Sequence, residues 1–416
     1  MTAPGPATAE PVGTAATTVP GQRGATDLTV HVHRDTDDFA ALAGEWDALF
    51  ARCRTATPFQ SHAWLYSWWL SYGTEGRLRI AAVRGEGGRL LALAPLALTY
   101  RPFPVLVPLG GALTDFCDVL LDDSCPDQAA HALAEALRGA ARGAVLDLRE
   151  VRPGGAAERI FAQWQGPRRQ LADSLCLELP GAPVADLIGR LPSQTGQRVR
   201  SKLRKADKLG IEARPVPVEE VPAAIGRLLG LHRRQWAGRG VNPEHLTARF
   251  AEHLARAVTA MTVRGQARVT EFRLDGELVV SDLTLLSPRL AGGYLYGADP
   301  ALRDRKVDVS AVLLRNSAGH FGPGTPPGAV LSMLRGTEAY KGHWRPEPVR
   351  NKRLLLAAPA QRPALAALAT GVAARRTAAH AVKRWRARGS APATAAASST
   401  PAGAEAAKGG GGAGRA

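Results

Sequence analysis

No stretch of this 416-residue chain approaches the roughly 20 consecutive apolar residues that a membrane-spanning helix requires. The longest apolar run, residues 90–98, is broken by Pro95 and reads as a buried strand. The start of the chain has neither the basic segment nor the apolar stretch of a secretory signal, so a soluble, cytoplasmic protein is expected. Cysteine is scarce. Its four copies, Cys53, Cys117, Cys125 and Cys176, fit no zinc or redox spacing and suit buried thiols in a reducing compartment. The chain has no GxxxxGK[ST] loop, which argues against nucleotide hydrolysis, and Ser61 has no Gly-x-Ser-x-Gly context, which argues against a serine hydrolase. Metal-ligand spacing is missing throughout, so no metal is expected. Acidic residues are also under-represented, 37 against 53 Lys and Arg, for a net charge of +16.

That excess of charge is unevenly placed. Residues 361–416 carry nine Lys and Arg against the single acid Glu405, about half of the total excess. A second concentration, RVRSKLRKADK at residues 198–208, is basic around much of a helix circumference and reads first as a solvated face and second as a phosphate-binding one.

What is present is enough for two cores, with 45% hydrophobic residues. Residues 1–27 and 390–416 are Ala, Thr, Pro, Ser and Gly with little that could bury surface, so both tails are expected to be disordered. Between them the fold class is α/β. LTVHVHR predicts a strand, DDFAALAGEWDALFARC an amphipathic helix, and SHAWLYSWWLSYG a second helix capped by Ser61. The strands LRIAAVR and LLALAPLALTY, a helix over QAAHALAEALRGAARG, and the strands VLDLREV and SLCLELP come next. The second half repeats this order: helices, then RVTEFRL, Asp275-Gly276, ELVVSDLTLL, AGGYLYGAD, a helix over KVDVSAVLLRNSAGHF, and the strands VLSMLRG and NKRLLLA. An Asp-Gly pair between alternating apolar residues is the strongest short-range hairpin signal, because both central positions need φ > 0. The order is consistent with two copies of one α/β architecture. The expected divisions are a tail at 1–27, subdomains at 28–180 and 181–358, a basic helical appendage at 359–389, and a tail at 390–416.

The segments TPFQSHAWLYSWW, RSKLRKADKLGIEAR, LHRRQW, ELVVSDLTLL with GGYLYGAD, and above all LRGTEAYKGHW resemble those of the CelD-like acetyltransferases of the GNAT superfamily, relatives of the Fem-type aminoacyl-tRNA-dependent peptidyltransferases. The resemblance covers roughly residues 30–356. It implies tandem GNAT-like subdomains, each a mixed, mostly antiparallel sheet flanked by helices. It also implies direct transfer of an acyl group to an amine, with acetyl-CoA or another acyl-CoA as co-substrate and no tightly bound cofactor.

Acyl-CoA enzymes of this kind commonly carry a glycine-containing loop where the sheet feeds a long helix, so that bare backbone N–H groups hold the pyrophosphate. Here the junction reads LRDRKVDVSA, without glycine, and Arg303, Arg305 and Lys306 are the candidates to bind the donor phosphates through side chains. An amine acceptor needs a base, because an alkylamine with pKa near ~10 is mostly protonated at neutral pH. With a two-residue turn at Asp275-Gly276, Val269 would face Asp282, placing Glu271, Arg273 and Asp282 on one face of the hairpin. Neighbouring carboxylates raise one pKa, which makes Glu271 and Asp282 the candidate bases. Tyr294 and Tyr296, two apart on the next strand, would share a side and could protonate a departing thiolate. Trp64 and Trp68, four apart on a helix, are either core or the wall of a substrate cleft. Arg335, Glu338, Tyr340 and Lys341 are either substrate-binding groups or an ion-pair network. His62 and His232 read as packing or capping histidines.

Three functions remain open at this point. They are an N-acyltransferase with acyl-CoA as donor and an amine of a small molecule, sugar or peptide precursor as acceptor; an aminoacyl-tRNA-dependent transferase with RNA on the basic segments; and a catalytically degenerate GNAT-like module in polysaccharide assembly or nucleic-acid binding.

Overall fold

A computed structural model describes residues 28–389 apart from 101, 239–241 and 339, so the expectations for both tails lie outside the described residues. The first half runs β1 (Thr29–His33), α1 (Thr36–Ala41), α2 (Ala43–Ala51), α3 (His62–Tyr72), β2 (Leu78–Arg84), β3 (Leu90–Tyr100), β4 (Pro104–Pro108), β5 (Leu120–Leu121), α4 (Pro126–Ala140), β6 (Val145–Val151), α5 (Ala157–Gln163) and β7 (Arg168–Pro180). The second runs α6 (Val184–Gly189), α7 (Ser193–Lys208), β8 (Glu212–Pro215), α8 (Val221–Trp236), α9 (Ala248–Val263), β9 (Ala267–Leu274), β10 (Glu277–Ser287), β11 (Leu290–Ala298), α10 (Val309–Ala318), β12 (Val330–Arg335) and β13 (Glu347–Leu356). A last helix, α11, spans Arg362–Gly389. The chain divides into compact units Met1–Ala367 and Leu368–Ala416; in the second, the described residues are the remainder of α11.

Both halves build one mixed, mostly antiparallel sheet of the order β1-β2-β3-β4-β6-β13-β7-β12-β11-β10-β9-β8, with β5 pairing β3 off this path. Each half contains a parallel pair bridged by a crossover helix: β4 and β6 through α4, β11 and β12 through α10. The repeated element order is therefore also a repeated topology. β13, the last strand of the second half, lies between β6 and β7 of the first, antiparallel to both.

The sheet is covered on both faces, which explains the near-continuous apolar run in β3. Leu78, Ile80 and Ala82 of β2 join Trp46, Phe59, Trp64, Leu228 and Phe250 in one core, whereas Ala81 and Val83 join Leu133, Leu137 and Ile160 in another. Cys53, Cys117 and Cys176 are buried free thiols and Cys125 is half-buried. His62 and His232 act as positioning groups, bonded to the carbonyl oxygens of Phe39 and Tyr296. No helix among the described residues is long and apolar enough to cross a membrane.

The Asp275-Gly276 turn forms as its sequence dictates, with φ of 54° and 82°. Beyond it, two bulges redirect the strands. β9 and β10 pair Arg273 with Leu278 and then Phe272 with Val280, so Val279 is an extra residue. β10 and β11 pair Leu283 with Leu295 and then Thr284 with Gly293, so Tyr294 is extra. Because side chains alternate with period two, each extra residue moves the side chains beyond it to the other face.

Candidate active site

The first bulge separates the two candidate bases. Glu271 lies opposite Ser281, and Asp282 lies opposite Thr270 and, on its other side, Tyr296. The expected Glu271–Asp282 pair therefore does not form: a simple two-residue register lacks the extra Val279, and the carboxylates face opposite sides of the sheet. Glu271 is buried in ion pairs with Arg227 Nε at 2.6 Å and Arg273 at 3.1 Å. The second bulge separates the tyrosines in the same way. Tyr294 points into the core, its hydroxyl donating to the Leu113 carbonyl at 3.0 Å and its ring edge-on to Trp64, whereas Tyr296 shares the Asp282 face.

Asp282 lines a cavity of about 80 Å³ with Tyr296, Ser310, Ser332, Tyr340 and Lys341. The opening arises where the parallel pairing stops. β11 and β12 pair only from Leu290–Val330 to Gly292–Ser332; beyond that, β12 shifts register against β7, and Leu334 adopts φ 56°, a sparsely populated region for a bulky residue. Gly293 contributes no side chain to the gap, and a Cβ built there would meet only Ser317 Oγ, at 3.7 Å. The carboxyl of Asp282 is 3% exposed, and one of its oxygens, Oδ2, accepts from Thr284 Oγ1 and Asn316 Nδ2, both at 3.0 Å. Burial pushes its pKa up, to about 6, against the opposing pull of those two hydrogen bonds. Burial also raises the phenols of Tyr296 and Tyr340, the latter further by Tyr296, Glu338 and Asp282 beside it, so both stay protonated donors at neutral pH. Lys341 is buried, its ammonium held by the Arg335 carbonyl at 3.0 Å and Glu338 at 2.8 Å.

The rest of the LRGTEAYKGHW motif turns elsewhere. The Arg335 side chain reaches Asp115 and the Ala112 carbonyl of the first half, and Glu338 is an exposed partner of Lys341. Trp64 is fully buried, donating to Thr114 Oγ1 at 3.0 Å, and so is core, not cleft wall. Trp68 is half-buried and stacks on Tyr72.

A larger cavity of about 490 Å³ adjoins the first through their shared residues Ser310 and Tyr340. Lys202, Arg303 and Lys306 line it; Arg305 is instead paired with Asp275 at 3.5 Å. Asp308 caps α10 with its own carboxylate, accepting from the Ala311 N–H at 3.1 Å, Ser310 Oγ at 2.6 Å and Lys202 Nζ at 2.6 Å. Burial alone would raise its pKa, but the hydrogen bonds from Lys202 and Ser310 outweigh burial and keep it below the usual carboxylate range. A carboxylate thus occupies the helix end where a glycine loop would place a phosphate, and the available cations are side chains.

Residues 193–342 match the family model of an acetyltransferase (GNAT) domain. The match spans Asp282, Tyr296, Tyr340, Lys341 and the two lysines and the arginine of the larger cavity, so both cavities lie within the segment that resembles such a domain. Among solved structures, a conserved protein of unknown function from Bacteroides thetaiotaomicron VPI-5482 is 11% identical, with TM-score 0.54 over 79% of this chain and 100% of that one. FemX is 12% identical, with TM-score 0.53 over 75% of this chain and 95% of its own. A tandem GNAT protein from the clavulanic acid biosynthesis pathway is 15% identical over 80% of this chain and 99% of its own, with TM-score 0.36. At such identities the first two likenesses are of fold. No curated protein matches the chain.

The sequence reading missed Asn316, Ser317, Thr284 and Gln235, which lines the larger cavity and accepts from the Ala298 N–H at 3.0 Å; Lys202 lies in the basic segment 198–208 whose second reading is phosphate binding. Ser310 and Ser317, seven apart and so on one face of α10, are small polar residues among apolar ones, a pattern that would have pointed to the cavity. Separately, His31, His33 and Asp38 bring ligand-type atoms within 4.8 Å of one another on β1 and α1, a grouping that metal-ligand spacing in the sequence did not suggest.

Proposed function

We propose that the protein is a CelD-like cytoplasmic N-acyltransferase that moves an acyl group, acetyl or longer, from acyl-CoA directly to an amine, with Asp282 as the general base. The observation that carries this reading is a buried carboxyl with pKa about 6 in a cavity formed where two parallel strands of a GNAT domain separate. Strand edges left unpaired past Gly292 and Ser332 offer backbone groups to an extended, amide-bearing donor. The phosphates of that donor would meet Lys202, Arg303 and Lys306 in the adjoining cavity. In the reaction the amine nitrogen attacks the thioester carbon and its proton passes to Asp282. The C–S bond then breaks, and the departing thiolate takes a proton from the phenol of Tyr296 or Tyr340.

Glu271→Gln and Asp282→Asn test the assignment. Asp282→Asn should lower kcat by roughly 10² to 10⁴ with substrate binding largely kept, and Glu271→Gln should leave kcat near wild type. Full activity in Asp282→Asn would remove this carboxylate from the chemistry.

A second reading, transfer from aminoacyl-tRNA, is favoured by α7, where Arg198, Arg200, Lys202, Arg204 and Lys208 are all exposed. Calorimetric titration separates the two donors. RNA held by phosphate contacts loses affinity steeply as salt rises, and acyl-CoA in a shaped cavity loses much less.

A further inference from the structure

A third cavity, of about 300 Å³, lies where the loop after α2, the entry to α4, the turn after β6 and the approaches to β11 and β12 meet. Four guanidinium groups, Arg54, Arg152, Arg159 and Arg289, line it against the single lining carboxylate of Asp123. We propose that this cavity is a second ligand site, one that binds a small phosphate-bearing anion through these arginines.

The four groups are prepared in different ways. Arg152 is held in plane by a two-pronged bond to the buried Glu178, Nε to Oε1 at 2.8 Å and Nη2 to Oε2 at 2.6 Å. Its Nη1 is not used in that bond. Arg54 and Arg159 are paired with Asp123 at 3.2 Å and Asp127 at 2.5 Å, and Asp127 is 78% exposed. Exposed pairs of this kind contribute little to stability, so an oxyanion can exchange with them at small cost. Arg289 donates to the Pro327 carbonyl at 2.7 Å, and among the described residues no carboxylate forms an ion pair with it. Glu178, Asp123 and Asp127 balance three of the four charges, so the uncompensated charge at the cavity is that of Arg289, and an anion there would be held by Arg289 together with the groups that exchange their exposed partners for it. The planar fork of arginine matches the oxygens of phosphate in a way that a lysine cluster would not.

The cavity sits where the chain enters α4 between parallel strands β4 and β6. The cavity lined by Lys202, Arg303 and Lys306 has the same topological place at α10 between β11 and β12. The proposal does not rest on the role assigned to that second-half site.

Calorimetric titration with inorganic pyrophosphate at low salt tests it, using the full chain with Arg303→Ala and Lys306→Ala to remove two of the three cations assigned to the acyl donor. Saturable binding should persist in that background and weaken by roughly tenfold or more when Arg54→Ala and Arg289→Ala are added. Arg289→Gln alone breaks no ion pair and should still weaken binding roughly threefold or more, which covers the case in which the alanine pair fails to fold. No saturable binding in the Arg303/Lys306 background overturns the proposal. So does an affinity that neither the Arg54/Arg289 pair nor Arg289→Gln changes, with circular dichroism unaltered.

Discussion

A carboxyl group enclosed as Asp282 is carries two consequences with one origin. Its folded-state pKa of about 6 lies above the ordinary aspartate value, so the folded chain binds this proton more tightly than the unfolded one. Stability from this group is therefore greatest below the unfolded pKa and falls as pH rises from about 4 to about 6, after which the loss is constant, on the order of 2 to 3 kcal/mol. Asp282→Asn should abolish that dependence. Urea unfolding at pH 8 should find the variant at least as stable as wild type, while at pH 4 the two converge. The same proton should appear in catalysis as an acid limb near pH 6 in the kcat/KM profile, absent from the residual activity of the variant. A variant that is inactive but no less stable identifies a group retained for chemistry and not for folding. Glu271 differs in kind. Its carboxylate neutralises Arg227 and Arg273, so Glu271→Gln should cost about 1 to 3 kcal/mol of stability, measured by thermal unfolding, with kcat unchanged.

At the scale of the element, β11 is the strand that decides the site. Its sequence LAGGYLYGA carries three glycines with different duties. Gly297 is where α8 comes closest: a Cβ there would lie 2.4 Å from the His232 backbone nitrogen and 2.7 Å from the Leu228 carbonyl oxygen. Both are backbone atoms of one helix and cannot give way singly. Gly297→Ala should therefore displace α8, cost roughly 1 to 3 kcal/mol, and loosen the bond from His232 Nδ1 to the Tyr296 carbonyl. Thermal unfolding reads the first effect, and a rise in KM reads the second if Tyr296 borders the substrate. Gly293 has open space instead, since its added Cβ would approach only Ser317 Oγ at 3.7 Å. Gly293→Ala should leave the melting temperature nearly unchanged and narrow the cavity at Asp282.

For the whole molecule, the placement of β13 governs stability. It pairs with β6 along one edge and β7 along the other, so the first half without the second would expose two unpaired strand edges. Arg335 adds to this interdependence by holding Asp115 and the Ala112 carbonyl across more than two hundred residues of sequence. Residues 28–180 and 181–358 made as separate fragments should each fail to give a cooperative unfolding transition. Co-expressed, they should recover one. Residues 1–367 should unfold in a single step, because the sheet is continuous from β1 to β8.

Element identity was legible in the sequence because it depends on local chemistry. The Asp275-Gly276 turn, the alternation in RVTEFRL, the period of the α10 segment and the doubly buried run of β3 each arise from residues within a few positions of one another. Asp282, Tyr296, Tyr340 and Lys341 could be singled out for the same reason, since each is a reactive group in a recognisable strand or motif. Which of them share a cavity could not be read there. That depends on two extra residues, Val279 and Tyr294, whose bulging is set by the pairing of strands and leaves no mark in their own side chains. Lys202 reaches Asp308 only because α7 packs beside α10, and Asn316 reaches Asp282 only because α10 lies over β10. Local periodicity and composition were enough to specify most strands and helices, though not α5, α6 or the break between α1 and α2, and to specify the supply of acids, phenols and cations. Which carboxylate is buried and titrates close to neutrality was settled only by folding, because burial is a property of everything packed around a residue.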